Sequence, residues 1–271
     1  MKALLVVGAG AIAATAYAGS PADHAIIAAM KLADQPNYSW TTSVTDDVRS
    51  YDIEGKTTRG DWTWLRLLMV KSIAERMGRD AGTDTEAIFR GSEAFVIQTS
   101  EGWKTLQELR QRASPPRPTG GRGGTSGNPH APFTPGAGIM IPLSGPASRR
   151  GYSNAQFALS RPHEELAVIV SSHTELKVEG DRATGTLSDL GAQLLLVHAG
   201  QDGIEPVAAA GEFDELIIRG GIVTRYRLRL EGILLVGRKR IIVRQASDTV
   251  IKQVGSTSFE VPEEVRQKLE G

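Results

Sequence analysis

The 271-residue sequence predicts an α+β fold in which one long antiparallel sheet curls around amphipathic helices. Three observations predict it. Short apolar/polar alternations recur from Tyr38 to the C-terminal region, separated by Gly-containing turns, as in a meander. Two segments, after Ser20 and after Ser160, instead carry apolar residues at helical spacing. A single sheet of this size has one apolar face to bury, and these helices are the available filling.

The chain opens with Lys2, an apolar run from Ala3 to Ala14, and Ala16-Tyr17-Ala18 before Gly19. This is the layout of a cleavable secretory signal, with cleavage expected after Ala18. The run is too short to span a bilayer as a lasting helix. Val6-Val7-Gly8-Ala9-Gly10 imitates a dinucleotide-binding loop, but Ala13 stands where the third glycine belongs and only seven residues precede Gly8. The expected organisation is a signal at 1–18 and one domain at 19–271, located in the periplasm or otherwise outside the cytoplasm.

In the first expected helix Ser20 caps, Pro21 takes the first helical position, and Ile26, Ala29, Met30 and Ala33 form an apolar face ended by Pro36. Tyr38, Trp40, Thr42 and Val44 alternate with polar residues as a half-buried strand, and Gly60 to Val70 reads as a second, more buried one. Ile73 to Arg76 suggests a helical turn. Glu86–Arg90 and Ala94–Thr99 flank a turn at Gly91-Ser92-Glu93, and Thr105 to Arg112 reads as helical. Residues 113 to about 150 are rich in Pro and Gly and predict an insertion unable to bury enough apolar area to order itself.

Order resumes with a helix capped by Ser160, with Pro162 in its first turn and Leu166, Ile169 and Val170 as its stripe. Strand and turn are expected after His173, including an apolar run at Gln193–His198. Gly220-Gly221 predicts a two-residue hairpin between Glu212–Arg219 and Ile222–Glu231. In the second of these, Tyr226, Leu228 and Leu230 alternate with Arg225, Arg227 and Arg229. Strands at Lys239–Gln245 and Thr249–Val261 follow, then a short helix after Pro262 with Val265 and Leu269 on one face.

With 31 basic and 31 acidic residues, the charge gives no general reason to expect nucleic acid or an anionic membrane as partner. The absence of Cys excludes disulfides, thiolate metal sites, cysteine nucleophiles and an amino-terminal lipid-bearing cysteine. No transmembrane segment is expected once the signal is removed.

Four stretches carry a resemblance: Leu32 to Thr42 (LADQPNYSWTT), Glu86 to Gly91 (EAIFRG), Glu101 to Leu106 (EGWKTL) and Val254 to Glu264 (VGSTSFEVPEE). On these the chain resembles the LolA-like superfamily of extracytoplasmic lipoprotein and lipid carriers, over most of residues 22–271 outside the insertion. The resemblance implies a curved antiparallel half-barrel closing over helices, with an apolar cavity between them that takes acyl chains. This chain is longer than the carriers, and no single residue aligns with their conserved arginine.

The resemblance makes Tyr38, Trp40, Trp62, Trp64, Tyr226, Leu228 and Leu230 the candidate ligand-lining residues. The same residues also suit a plain sheet core. Arg225, Arg227, Arg229, Arg238, Lys239 and Arg240 form a basic cluster, suited to a lipid phosphate, to an acidic partner, or to a solvated sheet face. Arg117 and Arg122 among glycines read as linker. His163, Glu164, Glu165 and His173 lack metal-ligand spacing, since the histidines lie ten apart. No G-x-S-x-G elbow occurs, and Asp46-Asp47 and Glu263-Glu264 suit turns and helix starts. The expectation is therefore no catalytic residues, no cofactor and no metal. It is a non-catalytic carrier or binding protein for a lipid or lipidated ligand. The alternative is an interaction or envelope-stress sensor domain with a solid core and an envelope protein as partner.

Overall fold

The computed structural model describes residues 20–47, 50–58, 61–69, 84–91, 94–105, 107–109, 160–197 and 204–270. The expected signal, its cleavage site, the helical turn at 73–76 and the Pro/Gly insertion lie outside the described residues.

The described residues form eleven strands, β1 (Tyr38–Asp46), β2 (Ser50–Thr58), β3 (Trp62–Met69), β4 (Thr85–Arg90), β5 (Ala94–Thr99), β6 (Gly102–Thr105), β7 (His173–Glu179), β8 (Arg182–Leu187), β9 (Ile204–Arg219), β10 (Ile222–Val236) and β11 (Lys239–Lys252). They form one antiparallel sheet in the order β6-β5-β4-β3-β2-β1-β11-β10-β9-β8-β7. Two meanders, β1 to β6 and β7 to β11, thus join where the first strand meets the last, and β6 and β7 are left as the edges. Helices α1 (Pro21–Met30), α2 (Pro162–Ser172) and α3 (Asp189–Leu196) cover the inner face, and α4 (Glu263–Glu270) packs on the outer face near β5 and β6. This is the expected α+β fold.

Helix α1 starts as its sequence dictates. The Asp23 N–H donates to Ser20 Oγ at 3.2 Å, and the Ser20 N–H donates to Asp23 Oδ2 at 2.7 Å, a reciprocal capping box. Its buried face is not the expected one. Ala25, Ala28, Ala29 and Leu32 are buried, whereas Met30 is 60% exposed. Two faces about one residue apart both satisfy helical periodicity. The alanine face meets α2 and the sheet, and the bulkier Ile27 and Met30 turn outward. Helix α2 keeps its predicted stripe but begins one residue later than expected. Arg161 occupies the cap position, and Glu164 Oε2 accepts its N–H at 2.9 Å.

Of the apolar run expected as strand at 193–198, residues 193–196 belong to α3, and His198 lies outside the described residues. Ser188 caps the helix by accepting the Gly191 N–H at 3.1 Å. A Cβ on Gly191 would fall 2.0 Å from Ser172 Oγ, so α2 and α3 meet at a glycine. Strand β11 runs unbroken through Asp248, and 253–262 is not strand. After β11, Gln253 (φ 51°) and Gly255 (φ 79°) reverse the chain. Asn37 holds that turn. Its carbonyl accepts the Gly255 N–H and its side-chain oxygen accepts the Thr257 N–H, both at 2.9 Å. Two of the four resemblance segments are therefore clasped together.

Strand β2 went unpredicted. Its Asp52, Glu54 and Lys56 alternate with inward Ile53, Gly55 and Thr57, and the Trp40 ring lies over Gly55. The main core gathers Leu32, Trp40, Leu67, Leu166, Ile169, Phe213 and Tyr226 between the inner face and the helices. A smaller one gathers Ile88, Val96, Trp103, Val261 and Val265 beneath α4.

Candidate functional site

Five of the seven expected lining residues come together. Tyr38, Trp40, Tyr226, Leu228 and Leu230 are all buried on the inner face, in one core. Trp62 and Trp64 are not with them. Strand side chains alternate, so a strand that turns Leu65 and Leu67 inward must turn residues 62 and 64 outward. There both tryptophans pack with Phe259 and Leu269 under α4. Trp64 Nε1 donates to Glu86 Oε2 at 3.2 Å, Lys56 Nζ sits 5.2 Å from the Trp64 ring, and the Arg90 guanidinium sits 5.6 Å from the Trp62 ring.

A polar seam crosses the inner core beneath the first turn of α2. The Tyr38 hydroxyl and His163 Nδ1 lie 2.5 Å apart, and the Tyr226 hydroxyl donates to Glu165 Oε2 at 2.5 Å. Thr249, fully buried beside Tyr226, meets Thr42 hydroxyl to hydroxyl at 2.9 Å. Burial pushes the Glu165 carboxyl up to about 7. The Tyr226 hydrogen bond opposes that rise and the nearby Glu164 charge adds to it. Burial holds the His163 imidazole below its ordinary value, aided by the Arg161 charge. Burial also raises both tyrosine hydroxyls. Glu164 is held low against its own burial by the Arg161 guanidinium, which also lies 3.9 Å from Asp61. His173 Nδ1 instead faces the Val170 carbonyl at 2.8 Å. The four residues considered for metal thus have four separate partners, and the described residues contain no group of three or more metal-ligating side chains. The seam fastens α2 to β1 and β10. Its contacts span 125 and 61 residues of sequence, so no local spacing signals them.

A cleft of about 610 Å³ lies at one end of the inner core. Its walls come from the end of β1, the end of β8 and the middles of β9, β10 and β11. Buried Leu187 and Leu230 continue from the core into its wall, with Gly211 packed between them. Asp46 and Gln245, in register with Leu230 on the inner face, add polar groups, while Arg229 and Arg244 border the cleft from strand positions whose side chains alternate to the outer face. Arg229 pairs with Glu212 at 3.2 Å and Asp214 at 2.8 Å, and Arg244 pairs with Glu231 at 3.0 Å. Of the seven expected lining residues, Leu230 alone borders this cleft. Between α1, α2 and β9 a second space, of about 10 Å³, is lined by Ala25, Ile169, Phe213 and Leu216. That is about the room of one water molecule.

The expected basic cluster divides in two. On the outer face Arg225 grips Asp248 with two bonds, at 2.9 and 2.5 Å, and Arg227 reaches Asp248 and Glu215 at 3.1 and 3.5 Å. These arginines form a neutralised lattice. Arg238, Lys239 and Arg240 lie apart, at the β10–β11 turn.

No family model matches the sequence, and no curated protein does. Solved structures to which the chain is similar include LprF from Mycobacterium bovis, at 8% identity over 90% of this chain and 97% of that one, with a TM-score of 0.42. They also include a LolA superfamily protein from Nitrosomonas europaea, at 9% identity over 91% and 97%, with a TM-score of 0.33. The architecture itself is the open antiparallel sheet over helices that the sequence predicts.

Proposed function

We propose that the protein is a non-catalytic, extracytoplasmic binding protein that holds the acyl chain of a lipid or lipidated ligand in the cleft at the end of its inner core. One observation carries this reading: about 610 Å³ of open space is bordered by Leu187 and Leu230, side chains continuous with the apolar core. That volume falls in the range of small-molecule sites. An aliphatic chain entering it gains roughly 0.8 kcal/mol for each methylene buried. Asp46 and Gln245, in register with Leu230 on the inner face, stand beside the apolar wall, where the polar end of an amphiphile would lie. The mechanism is sequestration from water, with no bond made or broken.

The alternative, a protein-interaction or envelope-stress sensor domain, draws on a different observation. The space between α1, α2 and β9 is nearly filled. Native mass spectrometry after detergent-free purification, followed by organic extraction, separates the two. The carrier reading expects a co-purified lipid near stoichiometric occupancy, and uptake of added fluorescent fatty acid that Gln245→Trp reduces by narrowing the cleft beside Leu230. A clean apo mass with no uptake overturns it.

A further inference from the structure

We infer that the tip of the β10–β11 hairpin docks the protein on an anionic lipid bilayer. Strands β9, β10 and β11 outrun their neighbours. Strand β8 pairs with β9 only over 212–217, and β1 pairs with β11 only over 245–252. Residues 204–211, 231–236 and 239–244 therefore project as a three-stranded tongue, reaching roughly 17 Å beyond residue 231 at strand rise. Gly237 (φ 62°) makes the turn at its end.

The tip gathers three consecutive cations, whereas the arginines along the outer face of β10 and β11 are neutralised. Arg225, Arg227, Arg229 and Arg244 each face a carboxylate. Arg238, Lys239 and Arg240 are exposed and form no ion pair with any described residue. In a chain of zero formal net charge these three outnumber Glu205, which lies in register two strands from Arg240, and leave the tip positive.

Exposed aliphatics gather on the same structure. Seven large hydrophobics are exposed among the described residues, and three of them, Val207 (44%), Val236 (38%) and Ile242 (60%), belong to the tongue. Two more, Leu190 (65%) and Leu194 (46%), are on α3, which packs on β9 and β10. A protein interface would centre on aromatic or arginine anchors in pockets. Aliphatic side chains beside unpaired Lys and Arg on a protruding tip instead match the headgroup boundary of an anionic membrane. Docking there would bring the cleft, at the base of the tongue, toward the bilayer. The inference does not depend on what the cleft holds.

The test is sedimentation of the full chain with phosphatidylcholine vesicles, with and without phosphatidylglycerol, at low and high salt. The chain should bind the anionic vesicles and release at high salt. Each cation removed should weaken partitioning about five-fold, so Arg238→Gln/Lys239→Gln/Arg240→Gln should weaken it roughly a hundred-fold. Ile242→Ser should lower binding at both salts. Gln245→Trp should bind vesicles like the wild type, so failure of the cleft reading leaves this one standing. Equal binding to neutral and anionic vesicles, or unchanged binding by the triple variant, overturns the inference.

Discussion

Replacing Glu165 by Gln should remove a pH dependence that the wild-type fold carries. Burial raises this carboxyl from 4.5 to about 7, and its hydrogen bond from Tyr226 only partly offsets the rise. Below 4.5 the group is protonated in both folded and unfolded chains, and its contribution to stability is whole. As pH rises, the unfolded chain gives up the proton while the folded chain keeps it. Stability then falls by about 1.4 kcal/mol per pH unit until the folded group itself ionises near 7. Between pH 5 and pH 8 the loss comes to about 2–3 kcal/mol.

Urea denaturation of wild type and Glu165→Gln at several pH values measures this directly. Gln cannot ionise and keeps a hydrogen-bonding oxygen for Tyr226, so the variant should be the more stable protein at pH 8 and close to wild type at pH 5. His163 titrates in the opposite sense. Its lowered pKa stabilises the fold above the ordinary imidazole value, and that stability is lost as pH falls. Because His163 is present in both proteins, the difference between their curves isolates the carboxyl. Parallel curves from pH 5 to pH 8 would refute a desolvated Glu165.

Three further outcomes follow from the packing. A Cβ on Gly55 would sit 2.2 Å from Trp40 Cζ2, so Gly55→Ala must displace the indole. It should cost about 1–3 kcal/mol, read as a lower urea midpoint. Tyr38→Phe leaves His163 Nδ1 without its partner in a buried seam, at about 1–3 kcal/mol, and proton NMR should still find the wild-type imidazole titrating below its ordinary value. Arg229→Gln breaks two ion pairs whose arginine is well exposed, and thermal denaturation should register a change of less than about 1 kcal/mol.

The sequence makes legible what depends on neighbours in the chain. The Ser20 cap, the Gly220-Gly221 turn, the stripe of α2 and the alternation of Arg225, Arg227 and Arg229 against Tyr226, Leu228 and Leu230 are all local signals, and all appear in the fold. What escapes reading depends on contacts distant in sequence. The inward face of α1 is chosen by how closely α2 approaches. The parity of β3, which sends Trp62 and Trp64 outward, is set by which face the helices cover. Helix α3 was legible in principle from Ser188 and Asp189, but the apolar run after them suits a strand equally well. Strand β2 hides because its inward positions include a glycine and a threonine.

The candidate site divides along the same line. Tyr38, Trp40 and Tyr226 are aromatic and buried, which is all that sequence alone can suggest of a lining. Two of them nonetheless spend their hydroxyls on α2. Strands β1 and β10 flank β11, so the Tyr38–His163 and Tyr226–Glu165 bonds tie the first turn of one helix to both meanders of the sheet. A helix held in this way at a nearly filled interface is poorly suited to part from the sheet for a ligand, since each bond broken would strand buried polar groups. The open space instead lies where the helices give out, beside Leu187, Leu230 and Gln245. Ligand-binding variants therefore belong at Gln245. Substitutions at Tyr38 or Trp40 should act first on stability and only through it on binding.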